Sequence, residues 1–186
     1  MSTATDQTLA QRALGGRAAG WPTQIGLAVA GSLLLAISAQ FKLAIGPVPF
    51  TMQTLVLLVL AASFGRNLAV GTVLLYLAEG AAGLPVFSSP GALFGPTAGF
   101  LIGFIPLAAI VGEAADRGLD RSPLTLAPAM LIGEVILFAL GYLWLAQAIG
   151  GEKAWGLGVA PFILPDLVKI AIAALAVPAG WALLRR

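Results

Sequence analysis

The 186-residue sequence contains no cysteine and no histidine. Their absence excludes disulfides, thiol nucleophiles, Ser-His-Asp triads and the common zinc sites. Charged residues are also scarce, at 10% of the chain, whereas soluble domains contain about 25%. No GxxxxGK[ST] motif occurs, so we do not expect this chain to hydrolyse ATP itself. Together these absences argue against an enzyme.

Apolar residues, in contrast, make up 59% of the sequence, and the mean hydropathy is +0.98. One core of a soluble protein of this length cannot bury so much apolar surface, so we expect most of the chain to lie in lipid. The net charge of +2 is too small to indicate nucleic-acid binding. Residues 1–20 are polar and small, lack an apolar signal core, and are predicted to form a disordered cytoplasmic tail.

Six apolar segments predict an all-α integral membrane protein, with six transmembrane helices in a single domain over residues 21–186. Stretches rich in proline and glycine separate the segments. The second and third are shorter than the roughly 20 residues of a span, so tilted spans or a re-entrant segment fit them as well. The segments are Thr23–Phe41, Pro49–Phe64, Leu68–Ala82, Thr97–Gly112, Leu124–Ile149 and Leu164–Leu184.

The basic residues predict the orientation of these spans. With the N-terminus in the cytoplasm, all seven arginines fall inside and all three lysines fall outside. The excess of basic residues on the inner side places both termini in the cytoplasm. The arginines are Arg12, Arg17, Arg66, Arg117, Arg121, Arg185 and Arg186, and the lysines are Lys42, Lys153 and Lys169.

Two outer connections are more apolar than loops exposed to water. They are Gly83–Phe87 with Leu93–Phe94, and Trp155–Leu164. Irregular backbone at membrane depth persists only where it is buried in protein or lines a cavity. We therefore expect these connections to cap an outward-facing pocket. The alternative is that their aromatic side chains rest at the membrane interface.

The strongest local signal for a binding site is the segment Pro161–Lys169. Pro165 suits the first turn of a helix, where Asp166 is favoured by the helix dipole. Lys169 follows three residues later, so both charges share one helix face at the outer mouth of the last span. A ligand with hydrogen-bond donors at one end and a carboxylate at the other could use both residues. The alternative is a structural pair that only starts the helix.

Three further polar side chains are candidates for ligand contacts or coupling. Gln53 offers amide donors and an acceptor without the cost of burying a charge, although it could equally bond another helix. Glu79 ends the third span and could accept a hydrogen bond from a ligand, or could simply be an exposed carboxylate. Glu134, near the middle of the fifth span, is either a proton-coupling group or a protonated acid packed against another helix.

Small residues four apart occur in the first span, at Ala28, Ser32 and Ala36. Such a stripe lets helices approach closely. It predicts either a docking face for another membrane protein or packing inside the chain's own bundle.

Three blocks of sequence together resemble the BioY family. They are Pro47–Thr54, then Gly83–Phe87 followed by Gly95–Phe104, and finally Pro161–Phe162 with Asp166–Lys169. The blocks come in the family's order and cover most of the chain, from about Ile25 to Leu184. One stretch, Ser88–Ala92, departs from the family's more glycine-rich pattern.

The resemblance implies a biotin-specific substrate-binding (S) component of an energy-coupling-factor (ECF) transporter. Such a protein has six helices in the cell membrane and binds biotin near the outer face. It works with a transmembrane coupling protein and two ATPase subunits, although some members act without them. The implied ligand is biotin, carried as the transported molecule, and neither a cofactor nor a metal is implied.

The family's binding residues correspond to Asp166, Lys169 and Gln53 here. Asp166 could accept from a ureido N–H of biotin, and Lys169 could donate to the ureido oxygen or to the carboxylate. The apolar walls would come from four phenylalanines, and Glu79 could supply a further polar contact. These phenylalanines are Phe50, Phe87, Phe94 and Phe162.

Other classes of function remain open at this point. A proton-coupled secondary carrier of a small carboxylate-bearing vitamin could use Glu134 or Glu79. A membrane enzyme is disfavoured by the missing histidine, cysteine and metal clusters, and a structural assembly subunit would bind no ligand. The sequence also leaves open a homo-oligomer and whether ATPase partners are required.

Overall fold

Helices make up most of the part of the chain that the structure, a computed structural model, describes: residues 8–14, 20–44 and 46–184. One short antiparallel hairpin interrupts them. The helices are α1 (Leu9–Ala13), α2 (Trp21–Gln40), α3 (Gln53–Phe64), α4 (Arg66–Ala81), α5 (Ala98–Asp116), α6 (Pro123–Ile149), α7 (Gly151–Gly158) and α8 (Ala160–Leu184), and the strands are β1 (Lys42–Leu43) and β2 (Phe50–Thr51).

Four helical stretches in the described residues are long and apolar enough to cross a membrane. They are α2, α5, α6 and the continuous stretch formed by α7 and α8, with mean hydropathies from 1.5 to 2.0. Helices α3 and α4 are shorter, at 12 and 16 residues. All six predicted segments are therefore helical, and four of them meet the length of a span.

Gly65 joins the two shorter helices in a turn that only glycine fits well. Its φ of +79° is left-handed, and a Cβ there would overlap the Asp116 carboxylate and the Thr8 side chain. The same carboxylate accepts a hydrogen bond from the backbone N–H of Arg66 at 2.9 Å. Asp116 thus satisfies a free donor at the start of α4, where a negative charge is also favoured by the helix dipole.

Helices α5 and α6 pack closely because glycine removes the side chain at their crossing. A Cβ on Gly103 would lie 2.9 Å from the Cα of Leu137, which is too short for any other residue. Such small-residue contacts are the usual way in which helices associate in lipid. Fully buried Leu107 and nearly buried Leu137 fill the interface beside it. Helix α8 closes the bundle against α3 and α6.

The predicted disordered tail is wrong where the structure describes it. Leu9–Ala13 form α1, which begins with a capping box between Thr8 and Gln11. Leu9 packs against the hydrophobic core, which explains why this segment is ordered. Arg17, Arg185 and Arg186, used to predict orientation, lie outside the described residues.

The predicted irregular connection from Trp155 to Leu164 is also wrong, because α7 and the start of α8 occupy it. Helix α8 begins at Ala160, so Pro161 takes the first-turn position that we predicted for Pro165. Pro165 lies in the helix interior instead. Interior prolines are tolerated in membrane helices because neighbouring groups satisfy the freed backbone. Asp166 is consequently held by side chains rather than by a helix start.

The hairpin places Thr51 beside α8. Strand β1 pairs with β2 so that Lys42 lies opposite Thr51 and Leu43 lies opposite Phe50. Residues 82–97 form irregular turns between α4 and α5, as their proline and glycine content predicts. These two segments lie at the same end of the bundle, over the space between α3, α5 and α8.

Candidate functional site

Lys169 is the centre of a buried polar cluster. Its ammonium lies 2.6 Å from Asp166 Oδ1, and it donates to the backbone oxygen of Thr51 at 2.8 Å and to Thr54 Oγ1 at 2.9 Å. Lys169 is only 5% exposed. A lysine ammonium has three N–H groups, so these three acceptors satisfy it fully.

Only one of the two carboxylate oxygens of Asp166 has hydrogen-bond partners among the described residues. Oδ1 accepts from Lys169 and from Thr54 Oγ1, the latter at 3.0 Å. In the described part of the chain, no hydrogen bond reaches Oδ2. Because Asp166 lines the cavity and Lys169 balances its charge, this second oxygen is suited to accept from a ligand N–H.

Gln53 is fixed by a second chain of hydrogen bonds. Its Nε2 donates to the Tyr76 hydroxyl at 2.7 Å, and its Oε1 accepts from Thr51 Oγ1 at 3.2 Å. The Tyr76 hydroxyl in turn donates to the backbone oxygen of Val86 at 3.1 Å. The chain therefore links α3, α4 and the irregular segment 82–97, and it leaves the second amide N–H of Gln53 for a ligand.

Tyr76 and Thr54 were missed by the sequence reasoning. Tyr76 is fully buried, and it is one of only two tyrosines in the sequence. A phenol in an apolar helix needs a partner for its hydroxyl, and this signal could have marked it. Thr54 adjoins Gln53 in the motif that carries the resemblance, but its position between two charges depends on α8.

A row of aromatic rings forms the apolar wall beside the polar cluster. Phe50 stacks on Phe162 with centroids 6.1 Å apart, and Phe162 lies 6.5 Å from Phe138. Phe138 contacts Phe100 edge-on at 6.2 Å. The Lys169 ammonium lies 4.2 Å from the centre of the Phe50 ring, which adds a cation–π contact. Phe50 and Phe162 were predicted here, whereas Phe100 and Phe138 were not.

These groups surround a cavity of about 60 Å³. Its lining combines the predicted polar residues with aromatic and aliphatic side chains, as small-molecule sites usually do. Ligand pockets typically measure about 300–1,000 Å³, so this cavity is much smaller than a typical ligand pocket. The lining includes Gln53, Thr54, Phe100, Phe138, Phe162, Asp166 and Lys169, together with Ser88 from segment 82–97.

Two hydrogen bonds tie the β1 end of α2 and the hairpin to segment 82–97 beside the cavity. The Lys42 ammonium donates to the backbone oxygen of Ser88, and Gln40 Nε2 donates to the backbone oxygen of Phe87 at 3.4 Å. The hairpin and segment 82–97 therefore cover the site, as we expected of the Gly83–Phe87 connection.

Four predicted site residues do not line this cavity. Phe50 stacks on Phe162, which lines it, but is not itself part of the lining. Glu79 instead accepts a hydrogen bond from Ser32 Oγ at 3.0 Å. Phe87 is buried edge-on against Tyr76, with centroids 5.2 Å apart. Phe94 is 84% exposed and lies over a separate surface pocket near Trp144, because the irregular turns direct it outward.

The small-residue stripe of α2 faces partly inward. Ser32 is fully buried and bonded to Glu79 of α4, whereas Ala28 and Ala36 are half-buried. The described contacts thus favour packing inside the bundle for Ser32.

Glu134 lies in a wider groove of about 590 Å³ between α6, α7 and α8. It is 2% exposed, and neither carboxyl oxygen has a hydrogen-bond partner among the described residues. Asp166 and Phe138 line both this groove and the smaller cavity. Glu134 is therefore next to the polar cluster but not part of its hydrogen bonds.

The helices and the buried polar cluster together define a membrane protein with a small cavity between α3, α5, α6 and α8. The sequence motifs that suggested a family are confirmed by comparison. The model of the BioY family matches residues 8–186, and the chain belongs to that family.

Several relatives carry the name of biotin transporters. The probable biotin transporter BioY of Pyrococcus horikoshii is 35% identical over 146 residues, which cover 76% of this chain and 86% of that protein. The biotin transporter BioY of Thermotoga maritima is 39% identical over 88 residues, covering 45% and 52%. The match to the biotin transporter BioY2 of Lactococcus lactis, at 35% identity, covers 44% of this chain and 47% of that protein. The chain thus matches about half the length of the last two relatives.

A solved structure shares the fold. The crystal structure at 2.1 Å of the S-component for biotin from an ECF-type ABC transporter superposes with a TM-score of 0.75. The match covers 85% of this chain and 90% of that chain, at 19% sequence identity. At this identity the likeness establishes the architecture, and the ligand is argued from the site.

Proposed function

We propose that this protein takes up biotin across the cell membrane as the substrate-binding component of an ECF-type transporter. The observation that carries the proposal is the buried Asp166–Lys169 pair, which lines a cavity together with Phe100, Phe138 and Phe162 and leaves Asp166 Oδ2 without a hydrogen bond among the described residues. The names of its relatives and the shared fold support the same conclusion.

The site suits the ureido end of biotin. Asp166 Oδ2 accepts from a ureido N–H, and the free N–H of Gln53 donates to the ureido oxygen. Phe50 and Phe162 supply apolar contact to the fused rings. Lys169 acts through Asp166, because its ion pair with the carboxylate holds that group in position.

The cavity must widen before a ligand of this size fits. Biotin exceeds 60 Å³, so the hairpin and segment 82–97 have to move apart. The hydrogen bonds of Lys42 to Ser88 and of Gln40 to Phe87 break in that movement. The contacts among Thr54, Asp166 and Lys169 join α3 and α8 and keep these groups in place, whereas the bond from Lys169 to Thr51 involves the hairpin.

The proposed topology has six spans with both termini in the cytoplasm, α3 and α4 being short or tilted. Arginines lie at the connections from α3 to α4 and from α5 to α6, where Arg66 and Arg117 both pair with Glu113. Lys42 and Lys153 lie at the opposite connections. This asymmetry supports a cavity at the outer face.

Energy for uptake is proposed to come from partner ATPase subunits through a transmembrane coupling protein, since the sequence lacks a phosphate-binding loop. Helix α2 is the proposed docking element. Ala28 and Ala36 are its partly exposed small residues, and Val29, Leu33 and Ile37 extend the apolar surface beside them.

Calorimetric titration of the purified, ligand-stripped protein tests the substrate. Biotin is titrated beside desthiobiotin, which keeps the ureido ring, and thiamine, which lacks it. We expect one-to-one binding of biotin and desthiobiotin and none of thiamine. A folded sample that binds thiamine but neither ureido ligand would refute the proposal.

A second candidate function is a proton-coupled carrier of a small carboxylate-bearing vitamin. The buried, unpartnered carboxyl of Glu134 beside the site favours it. Uptake by vesicles that contain this chain alone, abolished by an uncoupler, would support the carrier. Uptake that requires ATPase partners and survives the uncoupler would support the ECF assignment.

A further inference from the structure

Biotin carries a carboxylate at the end of its aliphatic tail, and Lys169 is badly placed to receive it. All three N–H groups of Lys169 already have acceptors within 2.9 Å. A second carboxylate would displace one of them and would lie next to the negative charge of Asp166. The site therefore needs a different cation at its outer end.

Lys42 lies in strand β1, which is separated from the buried Asp166–Lys169 pair by strand β2. It pairs in register with Thr51, whose backbone oxygen accepts from Lys169. Thr51 thus separates the two lysines, with Lys169 on the inner side and Lys42 on the outer side. A ligand that reaches Asp166 with one end extends toward Lys42 with the other.

The ammonium of Lys42 already reaches over the cavity. It donates to the backbone oxygen of Ser88, which lines the cavity, and no other described residue accepts a hydrogen bond from it. That acceptor is a neutral amide. A carboxylate forms a stronger, charge-assisted bond with an ammonium, so it can replace the Ser88 oxygen when the outer segments move apart.

We propose that Lys42 binds the carboxylate of the substrate and makes the site selective for acids over neutral analogues. This inference rests on the proposed function and adds the group that recognises the tail. Among the described residues of the outer connections, the other cation is Lys153, which is exposed on α7. Lys153 therefore serves as a matched control.

The test compares biotin with biotinamide, which has the same ring and tail but no charge. Both ligands are titrated into the purified unmodified protein, Lys42→Gln and Lys153→Gln. We expect Lys42→Gln to lower the affinity for biotin about tenfold. This loss lies between that expected for an exposed ion pair and that for a buried charge-assisted hydrogen bond. The affinity for biotinamide should change by less than about twofold, because a neutral terminal amide gains little from the charge of Lys42. Lys153→Gln should leave both affinities unchanged.

An equal loss for both ligands would overturn the inference, because Lys42 would then act only by holding the outer segments. Unchanged biotin affinity in Lys42→Gln, or the same loss in Lys153→Gln, would overturn it as well. If the folded, unmodified protein binds neither ligand, the proposed function itself fails and this inference with it. Biotin binding that is unaffected by Lys42→Gln leaves the proposed function standing.

Discussion

Thr54 bridges the two charges of the buried pair: its hydroxyl donates to Asp166 Oδ1 at 3.0 Å and accepts from the Lys169 ammonium at 2.9 Å. The three groups form a closed triangle between α3 and α8. All three residues are at least nine-tenths buried. The triangle satisfies both charges where water cannot, and it fixes the free oxygen of Asp166.

Breaking this pair by removing one member should be strongly destabilising. Lys169→Ala leaves the carboxylate without its counter-charge, and the loss of one partner in a buried pair costs about 3–5 kcal/mol. The double variant Asp166→Asn/Lys169→Gln removes both charges and should lose less stability than Lys169→Ala. Thermal unfolding in detergent measures both. A double variant less stable than the single one would show that the pair stabilises the fold by its charges.

Tyr76 should matter for binding although it is not in the cavity. Tyr76→Phe leaves Gln53 Nε2 and the Val86 oxygen without partners, and an unmet buried polar group costs about 1–3 kcal/mol. Because Gln53 is then free to rotate, we expect weaker biotin binding as well as lower stability. Tyr142→Phe is the control, since the described contacts of Tyr142 include no side-chain hydrogen bond. Equal biotin affinities for the two variants would contradict the role given to Gln53.

Glu134→Gln distinguishes the two candidate functions. Neither carboxyl oxygen of Glu134 has a partner among the described residues, so an uncharged amide of the same shape should not lower the stability of the protein. Under the ECF assignment, biotin uptake with the ATPase partners should be unchanged. Uptake measured with radiolabelled biotin in cells that express all components is the test. Loss of uptake with binding intact would favour the proton-coupled carrier.

Asp120 should make stability depend on pH. It lies in a short 3₁₀ turn (Leu119–Arg121) before α6, fully buried, and Oδ2 accepts from Trp181 Nε1 at 2.5 Å. Burial raises the pKa of Asp120 above its ordinary value, although the Trp181 bond and the charge of Arg121 act in the opposite direction. The folded protein therefore holds this proton more tightly than the unfolded chain does.

The stability linked to that proton is fully present below the unfolded pKa of about 3.9. It is lost as pH rises through the folded-state pKa. Asp120→Asn keeps an acceptor for Trp181 but cannot ionise, so the Tm of this variant should rise relative to that of the unmodified protein as pH increases above about 4. Glu152→Gln, an exposed change, should show a constant difference. A constant difference for Asp120→Asn as well would mean that its folded-state pKa is not raised.

The apolar segments predicted the helices well because lipid requires every span to be both apolar and hydrogen-bonded within itself. The errors lie where local signals compete. Two prolines four apart, Pro161 and Pro165, each suit a first turn, and only packing decides that α8 begins at Ala160. Likewise the order of Leu9–Ala13 depends on a core contact that the local sequence does not contain.

The charged residues of the site could be predicted from the sequence, whereas the residues that contact and position them could not. Asp166 and Lys169 are three residues apart on one helix, so their proximity follows from helix geometry. Tyr76 and Phe138 reach the site from α4 and α6. A buried phenol signals that the Tyr76 hydroxyl needs a partner, but nothing local shows that the partner is Gln53 or that Phe138 meets Phe162. Phe94 was predicted in the wall only because it follows an apolar connection, and the turn that points it outward is not visible in the sequence.

The most direct test of the central claim is the affinity of biotin for Asp166→Asn, measured by calorimetry beside the exposed-carboxylate control Glu152→Gln. Asparagine keeps the size of the side chain but removes the charged acceptor and leaves Lys169 unbalanced. Because a hydrogen bond to a charged group contributes about 1.5–3 kcal/mol, we predict a loss of at least about tenfold for Asp166→Asn and none for Glu152→Gln. Unchanged biotin affinity in a folded Asp166→Asn variant would contradict the assignment of this cavity as the biotin site.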